Sequence, residues 1–302
     1  MNNPLLKNKF IAAGAAIFCC ALWGISTPIV KMGYAYIDEN HIPSLFLWIG
    51  LLFAVSGFLT MSVYSLSSRK LTLPKAKSLK VIAAVALLQT VGQYALVYIG
   101  MPNTTAVKGA ILKSTDVFFV ALIASLIFKL EKLTAKKLIS CIVGFAGIIV
   151  MNLNGLSLNV TPLGDGLVVL GIVAYSFAVI LIKAYGQDED PIVLSGSQMT
   201  LGGLILLVMG AAMGGRLDFI GMLPVFAGLC AIYAISYPLW TTLLKHNSPS
   251  SITIYSFMTP IFGVIFSALL LSEDGGVALP SLILALVLVC AGILLWGYEK
   301  KK

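Results

Sequence analysis

A succession of apolar runs, each close to twenty residues and joined by short connections, restricts this chain more than any other feature. Crossing a bilayer as a helix takes about 20 apolar residues. By that measure about ten runs qualify, near 10–32, 44–66, 80–100, 105–128, 135–153, 163–185, 191–213, 220–243, 249–271 and 278–298. Lipid offers no hydrogen bonds, so each backbone N–H and C=O must be satisfied within its own segment, which favours helices. Composition agrees: only 11% of residues are charged, against about 25% in a soluble domain. The expected fold class is an all-α membrane protein with ten transmembrane helices. No connection is long enough to fold as a separate module.

The formal net charge of +8 could suggest nucleic acid, but its distribution points to membrane topology instead. Lys7, Lys9, Arg69, Lys70, Lys75, Lys77, Lys80, Lys129, Lys132, Lys136, Lys137, Lys183, Lys245 and Lys300 to Lys302 fall on one side of the runs. Only Lys31 and Arg216 fall on the other, with Asp38, Glu39, Asp165, Asp218, Glu273 and Asp274. The positive-inside rule then places both termini in the cytoplasm of a plasma (inner) membrane protein, and an even number of spans agrees. The acids Asp188, Glu189 and Asp190 weigh little in that rule. The run from Phe10 to Val30 is too long for a signal h-region and no clear cleavage site follows it, so no cleavable leader is expected. Cys19, Cys20, Cys141, Cys230 and Cys290 all lie in apolar runs without a CxxC. Neither a metal, a disulfide nor a cofactor is expected.

The chain also repeats itself. With Glu131 laid on Glu273, Thr104–Glu131 and His246–Glu273 register without a gap. One residue out of step, Thr90, Gln93, Tyr94 and Tyr98 fall on Tyr233, Ser236, Tyr237 and Thr241. Trp23-Gly24 with Lys31 matches Tyr175-Ser176 with Lys183, and Gly147 matches Gly292 after a short insertion. Spans one to five therefore resemble spans six to ten, with repeats at 10–153 and 163–298. Five is odd, so the second copy enters from the opposite side. Two such inverted-topology five-helix repeats, related by a pseudo-two-fold axis in the membrane plane, are built like many secondary transporters, whose substrate site lies near the midplane between repeats.

The segments LWGISTPIVK (22–31), FKLEKLTAKKLISCIVGFAGIIV and TPIFGVIFSALLLSE (259–273) resemble the drug/metabolite transporter superfamily, and within it the EamA-type family with two five-helix repeats. The resemblance covers nearly the whole chain. It implies a cavity formed mainly by the first, third, fourth, sixth, eighth and ninth helices, and export as the commoner role. Pro260 stands where that family usually has proline, whereas the matching place in the fourth span holds Phe118.

Just before Phe118 lie Lys113 and Asp116, charges that lipid does not tolerate unless they face protein or water. Three residues apart, they share nearly one helix face and can neutralise each other. Three readings stay open: direct contact with a zwitterionic or charged metabolite, proton carriage by Asp116, and a structural bridge. Lys108, nearer the outer mouth, is expected to snorkel to water. Polar stripes on the third span (Gln89, Thr90, Gln93, Tyr94, Tyr98) and the eighth (Tyr233, Ser236, Tyr237, Trp240, Thr241) are expected to line a central pocket, with interhelical hydrogen bonding the alternative. Trp23, Ser26, Tyr175, Gln198 and Tyr255 are further candidates for the pocket. Pro28, Pro238 and Pro260 are candidate hinges, because each removes a helical hydrogen bond. Glu131 and Glu273 read as cap or loop charges, and His41 and His246 as loop residues. Gly210 and Gly214 form a GxxxG that could serve close packing or a dimer contact.

No phosphate-binding glycine loop, HExxH or GxSxG occurs, so no enzyme is expected. The expected activity is alternating-access transport of a small organic metabolite, such as an amino acid or another zwitterionic or amphipathic solute, with the outward direction implied by the family resemblance. An uptake permease for a polar metabolite or sugar is the nearest alternative; a channel, receptor or membrane-embedded enzyme stands behind it. The expected partners are the solute, the lipid bilayer and protons, with the chain a monomer or weak homodimer and no nucleic acid bound.

Overall fold

A computed structural model describes residues 8–38, 40–156, 159–271 and 277–297. Glu273 and Asp274, like Lys7, Glu39 and Lys300 to Lys302, lie outside the described residues. The elements are α1 (Lys9–Gly33), α2 (Ile42–Ser68), α3 (Ala76–Asn103), α4 (Val107–Ile127), α5 (Ala135–Met151), α6 (Pro162–Tyr185), α7 (Pro191–Ala212), α8 (Phe219–His246), α9 (Pro249–Leu271) and α10 (Leu279–Gly297). Nine of them are long and apolar enough to cross a membrane. α5, which the sequence places at 135–153, has 17 residues, at the short limit for a span.

Local signals set the helix ends. Asn8, Thr105, Thr134 and Asp190 each accept a hydrogen bond from a first-turn N–H, satisfying donors that the helix itself cannot. Proline occupies the first turn of α2, α7 and α9, where its missing N–H costs nothing. Gly214 follows α7 with φ +84°, a left-handed conformation that glycine adopts without strain.

The packing is pairwise. α2 lies along α7, and α5 along α10. α1 packs on α8 and α9; α6 packs on α3 and α4; α3 also touches α7, and α8 touches α2. Glycine makes the closest of these contacts possible. A Cβ on Gly50 would come within 2.7 Å of Leu207 Cα, and one on Gly203 within 2.7 Å of the Gly50 oxygen. In α5 and α10, a Cβ on Gly147 would meet the Ala285 oxygen at 2.8 Å, and one on Gly292 the Ser140 oxygen at 2.7 Å. Without a hydrophobic drive between helices in lipid, such small-residue seams supply the van der Waals contact that holds a bundle. The outside is apolar: Leu294 remains 66% exposed, and Phe58 and Val208 64% each, a surface that suits acyl chains and not water.

Three helices break their regular pattern. α3 widens into a π-helical turn over Ala86–Gly92. α4 stops being α-helical at Ser114 and Thr115, between Ala106–Lys113 and Asp116–Leu122. α9 tightens into a 3₁₀ turn over Ile254–Phe257. Such interruptions recur at functional sites. In the gapless register, Ser114 and Thr115 correspond to Ser256 and Phe257, so α4 and α9 break at matching places. Pro28, Pro224 and Pro238 sit inside unbroken α1 and α8, and Pro260 lies three residues past the 3₁₀ turn of α9, where the helical hydrogen bond it cannot donate would have gone to Ser256.

Of the two uses expected for the GxxxG at Gly210 and Gly214, close packing is seen at Gly210, where a Cβ would meet the Pro43 oxygen of α2 at 2.7 Å; Gly214 follows the end of α7. One sequence expectation needs correcting here. His246 is the last residue of α8, not a loop residue.

Candidate functional site

Aromatic side chains from α1, α2, α3 and α8 converge at the middle of the bundle. Tyr94 Oη and Tyr237 Oη are 2.8 Å apart. Phe53 of α2, wholly buried, packs on Tyr94 (4.8 Å between ring centroids), Tyr233 (5.4 Å) and Tyr237 (5.5 Å). Trp23 of α1 meets Tyr237 at 5.8 Å and Trp240 at 4.8 Å, and Tyr98 stacks on Tyr94 at 6.2 Å. Edge-on and offset contacts of this kind suit the ring quadrupoles. Tyr175 of α6 packs on the buried cluster that includes Val117 of α4 and Trp240 of α8. Ser26 Oγ donates to the Trp23 carbonyl at 2.7 Å.

Several polar atoms here have no hydrogen-bond partner among the described residues. They include Trp23 Nε1, Gln89 Oε1 and Gln93 Oε1, although Gln89 is only 3% exposed. Buried polar groups of native proteins are generally paired with protein or ordered water, so these atoms are open to water or a bound molecule. The polar stripe of α3 divides between two neighbours. Thr90 Oγ1 donates to Gln198 Oε1 of α7 at 2.9 Å, a purely internal contact, while Tyr94 turns to α8. Tyr255 is half-buried, and its carbonyl accepts from Cys20 Sγ at 3.2 Å.

At the α4 break, Asp116 is buried and Lys113 is exposed. Asp116 accepts from Ser256 Oγ of α9 at 3.1 and 3.0 Å and from its neighbour Val117 N at 2.8 Å. The ion pairs among the described residues are Lys75–Glu189, Lys77–Asp188, Lys108–Asp165 and Lys137–Glu131. Lys113 and Asp116 therefore do not form the direct bridge that their spacing permits. Lys108 is also corrected: instead of reaching for water it holds Asp165 Oδ2 and the Asn159 carbonyl, both at 2.5 Å. Thr104 Oγ1 and Thr161 N complete the coordination of Asp165.

A second polar cluster lies at the opposite ends of these helices. Glu131, just past α4, accepts from Ser250 N at 3.2 Å and from Ser250 Oγ, and so caps the start of α9. Lys137 Nζ contacts Glu131 Oε2 at 2.9 Å and sits 5.2 Å from the Trp296 ring centroid. Nearby, Lys245 Nζ donates to the Glu189 carbonyl at 2.6 Å and Lys183 Nζ to the Lys245 carbonyl at 2.9 Å. The hydrogen bond from Lys77 holds the Asp188 carboxyl below its ordinary range. Elsewhere, a surface hollow of about 610 Å³ lined by Tyr36, Asp38, His41, Ser44 and Arg216 includes none of the central aromatic residues.

The structure thus gathers Trp23, Tyr94, Tyr233, Tyr237 and Trp240, with Tyr175 packed on the buried cluster that includes Trp240. Phe53 and Ser256 belong with them and are missed by sequence reasoning. Phe53 is one apolar residue in an apolar run and carries no signal; Ser256 could have been found as the register partner of Ser114.

The EamA-like transporter family model matches residues 10–153 and 162–298. An uncharacterized transporter of Bacillus subtilis, YvbV, is 26% identical over 293 residues, covering 94% of this chain and 90% of its own. An uncharacterized transporter of Archaeoglobus fulgidus is 24% identical over 255 residues, covering 83% and 87%. One solved crystal structure is alike in fold, with a TM-score of 0.76 at 14% identity over 95% of this chain and 98% of that one.

Proposed function

Because this chain belongs to the EamA-like transporter family, we propose that it is a secondary transporter that moves a small organic metabolite across the plasma (inner) membrane by alternating access. Residues 10–153 and 163–298 act as two inverted repeats of five helices, with α5 as the fifth span and both termini in the cytoplasm. The observation that carries this reading is the pairing of helices. Exchanging each helix for the one five places on turns α1 with α8 and α9 into α6 with α3 and α4. It turns α3 with α7 into α8 with α2, and leaves α2–α7 and α5–α10 as they are. A set of contacts that maps onto itself in this way is what a two-fold relation between repeats produces, and it gives the bundle two related halves that can rock against each other.

The cargo site is proposed between those halves, at Trp23, Ser26, Gln89, Gln93, Tyr94, Lys113, Asp116, Tyr175, Tyr233, Tyr237, Trp240 and Tyr255. Aromatic walls with a few unmet polar groups suit an amphipathic or zwitterionic solute such as an amino acid, and efflux follows the commoner role of the family. The breaks in α4 and α9 are natural places for the helices to flex. Where they break, C-terminal Asp116–Leu122 of α4 packs on the first turns of α9, whereas Ala106–Lys113 packs on α6 and the second part of α9 packs on α1 and α10. α4 and α9 therefore meet at the Glu131 end, which in this reading is the closed end of the carrier. The test is exchange of labelled metabolites by proteoliposomes, with and without a pH gradient. Saturable flux supports the carrier; unsaturable flux at channel rates, or none, removes it.

A further inference from the structure

The two charges at the α4 break are unequal in what they can still bind. Ser256 Oγ shares its one proton between the two carboxylate oxygens of Asp116, and Val117 N–H donates to Oδ1. Lys113 stands three residues earlier, on the other side of the break at Ser114 and Thr115. It is exposed, and no described carboxylate lies within ion-pair distance of it. At Asp116 the break faces α9, so this part of α4 borders protein. An ammonium group kept inside a membrane protein without a counter-ion is tolerated only against water or a ligand that supplies the charge.

We infer that Lys113 is the anion contact of the cargo site, that the cargo is a carboxylic acid whose acid group is obligatory and whose amine, if it has one, is dispensable, and that Ser256 is a positioning residue that keeps Asp116 from neutralising Lys113. This assignment rests on the transporter reading of the same site. The chemistry follows from what each group offers. A lysine ammonium brings three donors and a full charge to a carboxylate. On the other side, an amine would need an acceptor carrying charge, and the one in reach is held by a helix from the other half of the chain. The neutral Oε1 atoms of Gln89 and Gln93 can accept from an N–H of the cargo, which favours a body with a donor, such as an indole or amide, without requiring a cation. The rings of Trp23, Tyr94 and Tyr237 provide flat apolar walls for that body.

The test is a body-matched series on the purified full chain: indole-3-propionate, its amide, tryptamine and L-tryptophan, with the corresponding phenyl and branched aliphatic sets. Ligand-induced thermal stabilisation reads binding, and exchange in proteoliposomes reads transport. The acid is expected to bind within about threefold of the amino acid, and the amide and amine about tenfold or more weaker, the scale of one charge-assisted hydrogen bond. Lys113→Met is expected to remove the preference for the acid, and Lys113→Arg to keep it, which separates loss of the contact from loss of folding. Ser256→Ala is expected to weaken the acid and leave the amide unchanged, with Ser256→Thr restoring the acid. Equal binding of acid and amide, a preference for the amine, unchanged acid affinity in Lys113→Met, or no stabilisation by any acid overturns the assignment. Transport of amines but not acids overturns it and leaves the transporter reading standing. Transport of no member of any charge class by cooperatively melting protein counts against both.

Discussion

Tyr94 of α3 and Tyr237 of α8 share a hydrogen bond of 2.8 Å between their hydroxyls, and they are the same position of the two sequence repeats. A residue bonded to its own counterpart lies where the two halves meet. Around this contact, Phe53 and Trp23 fill the remaining space, so the bond couples the halves at the centre of the bundle.

Removing either hydroxyl should show that coupling. Tyr94→Phe and Tyr237→Phe are each expected to cost about 1 kcal/mol, and the double variant little more than one single, because an apolar pair leaves no unmet partner. A double-mutant cycle on the unfolding midpoint in detergent checks this. Additive losses would mean that the two hydroxyls act separately.

The α2–α7 seam should resist any side chain. Gly50→Val places methyl groups where Leu207 already stands, and overpacking costs about 1–3 kcal/mol or more when backbone is the neighbour. Yield of monodisperse protein on gel filtration is expected to fall sharply, while Gly166→Ala, with open space around its Cβ position, should purify as the parent does.

Glu131 joins the end of α4 to the start of α9. Glu131→Ala uncaps Ser250 and leaves the buried Lys137 without its carboxylate. Breaking one side of a buried pair costs about 3–5 kcal/mol, and Glu131→Gln should recover part of it by still accepting from Ser250. The same loss should loosen this end of the bundle, read as faster labelling of a cysteine introduced at Ser251 when Glu131→Gln is added. Unchanged labelling would confine Glu131 to a static role.

The Lys77–Asp188 contact carries a pH dependence. The folded carboxyl lies below its ordinary value because of the hydrogen bond from Lys77. Its stabilising contribution is therefore present above the ordinary carboxylate range, near pH 4, and is lost as pH falls through the lower folded value. Both groups are exposed, so the effect is small. Lys77→Ala should melt slightly earlier than the parent at pH 7, with the difference vanishing in acid.

Opposed repeats require that reporters at Met1 and Asn159 face opposite compartments. Reporters on the same side would remove the inverted arrangement, and with it the two-fold reading of the helix pairs.

The sequence alone determined the class of structure and its solvent. Long apolar runs, basic residues crowded into alternate connections and a repeat of five segments follow from what lipid permits, and each is a one-dimensional pattern. It also marked Trp23, Tyr94, Tyr237, Lys113 and Asp116, because polar and aromatic groups are conspicuous in an apolar run. What it could not determine was who faces whom. Spacing alone allows Lys113 to pair with Asp116 and Lys108 to reach water. The folded chain instead brings Ser256 from 140 residues away to Asp116, and Asp165 from 57 residues away to Lys108. Helix spacing ranks neighbours on one helix only. Partners on other helices are chosen by crossing geometry, here by the glycine seams and the breaks in α4 and α9, and that choice exists only once the bundle has packed.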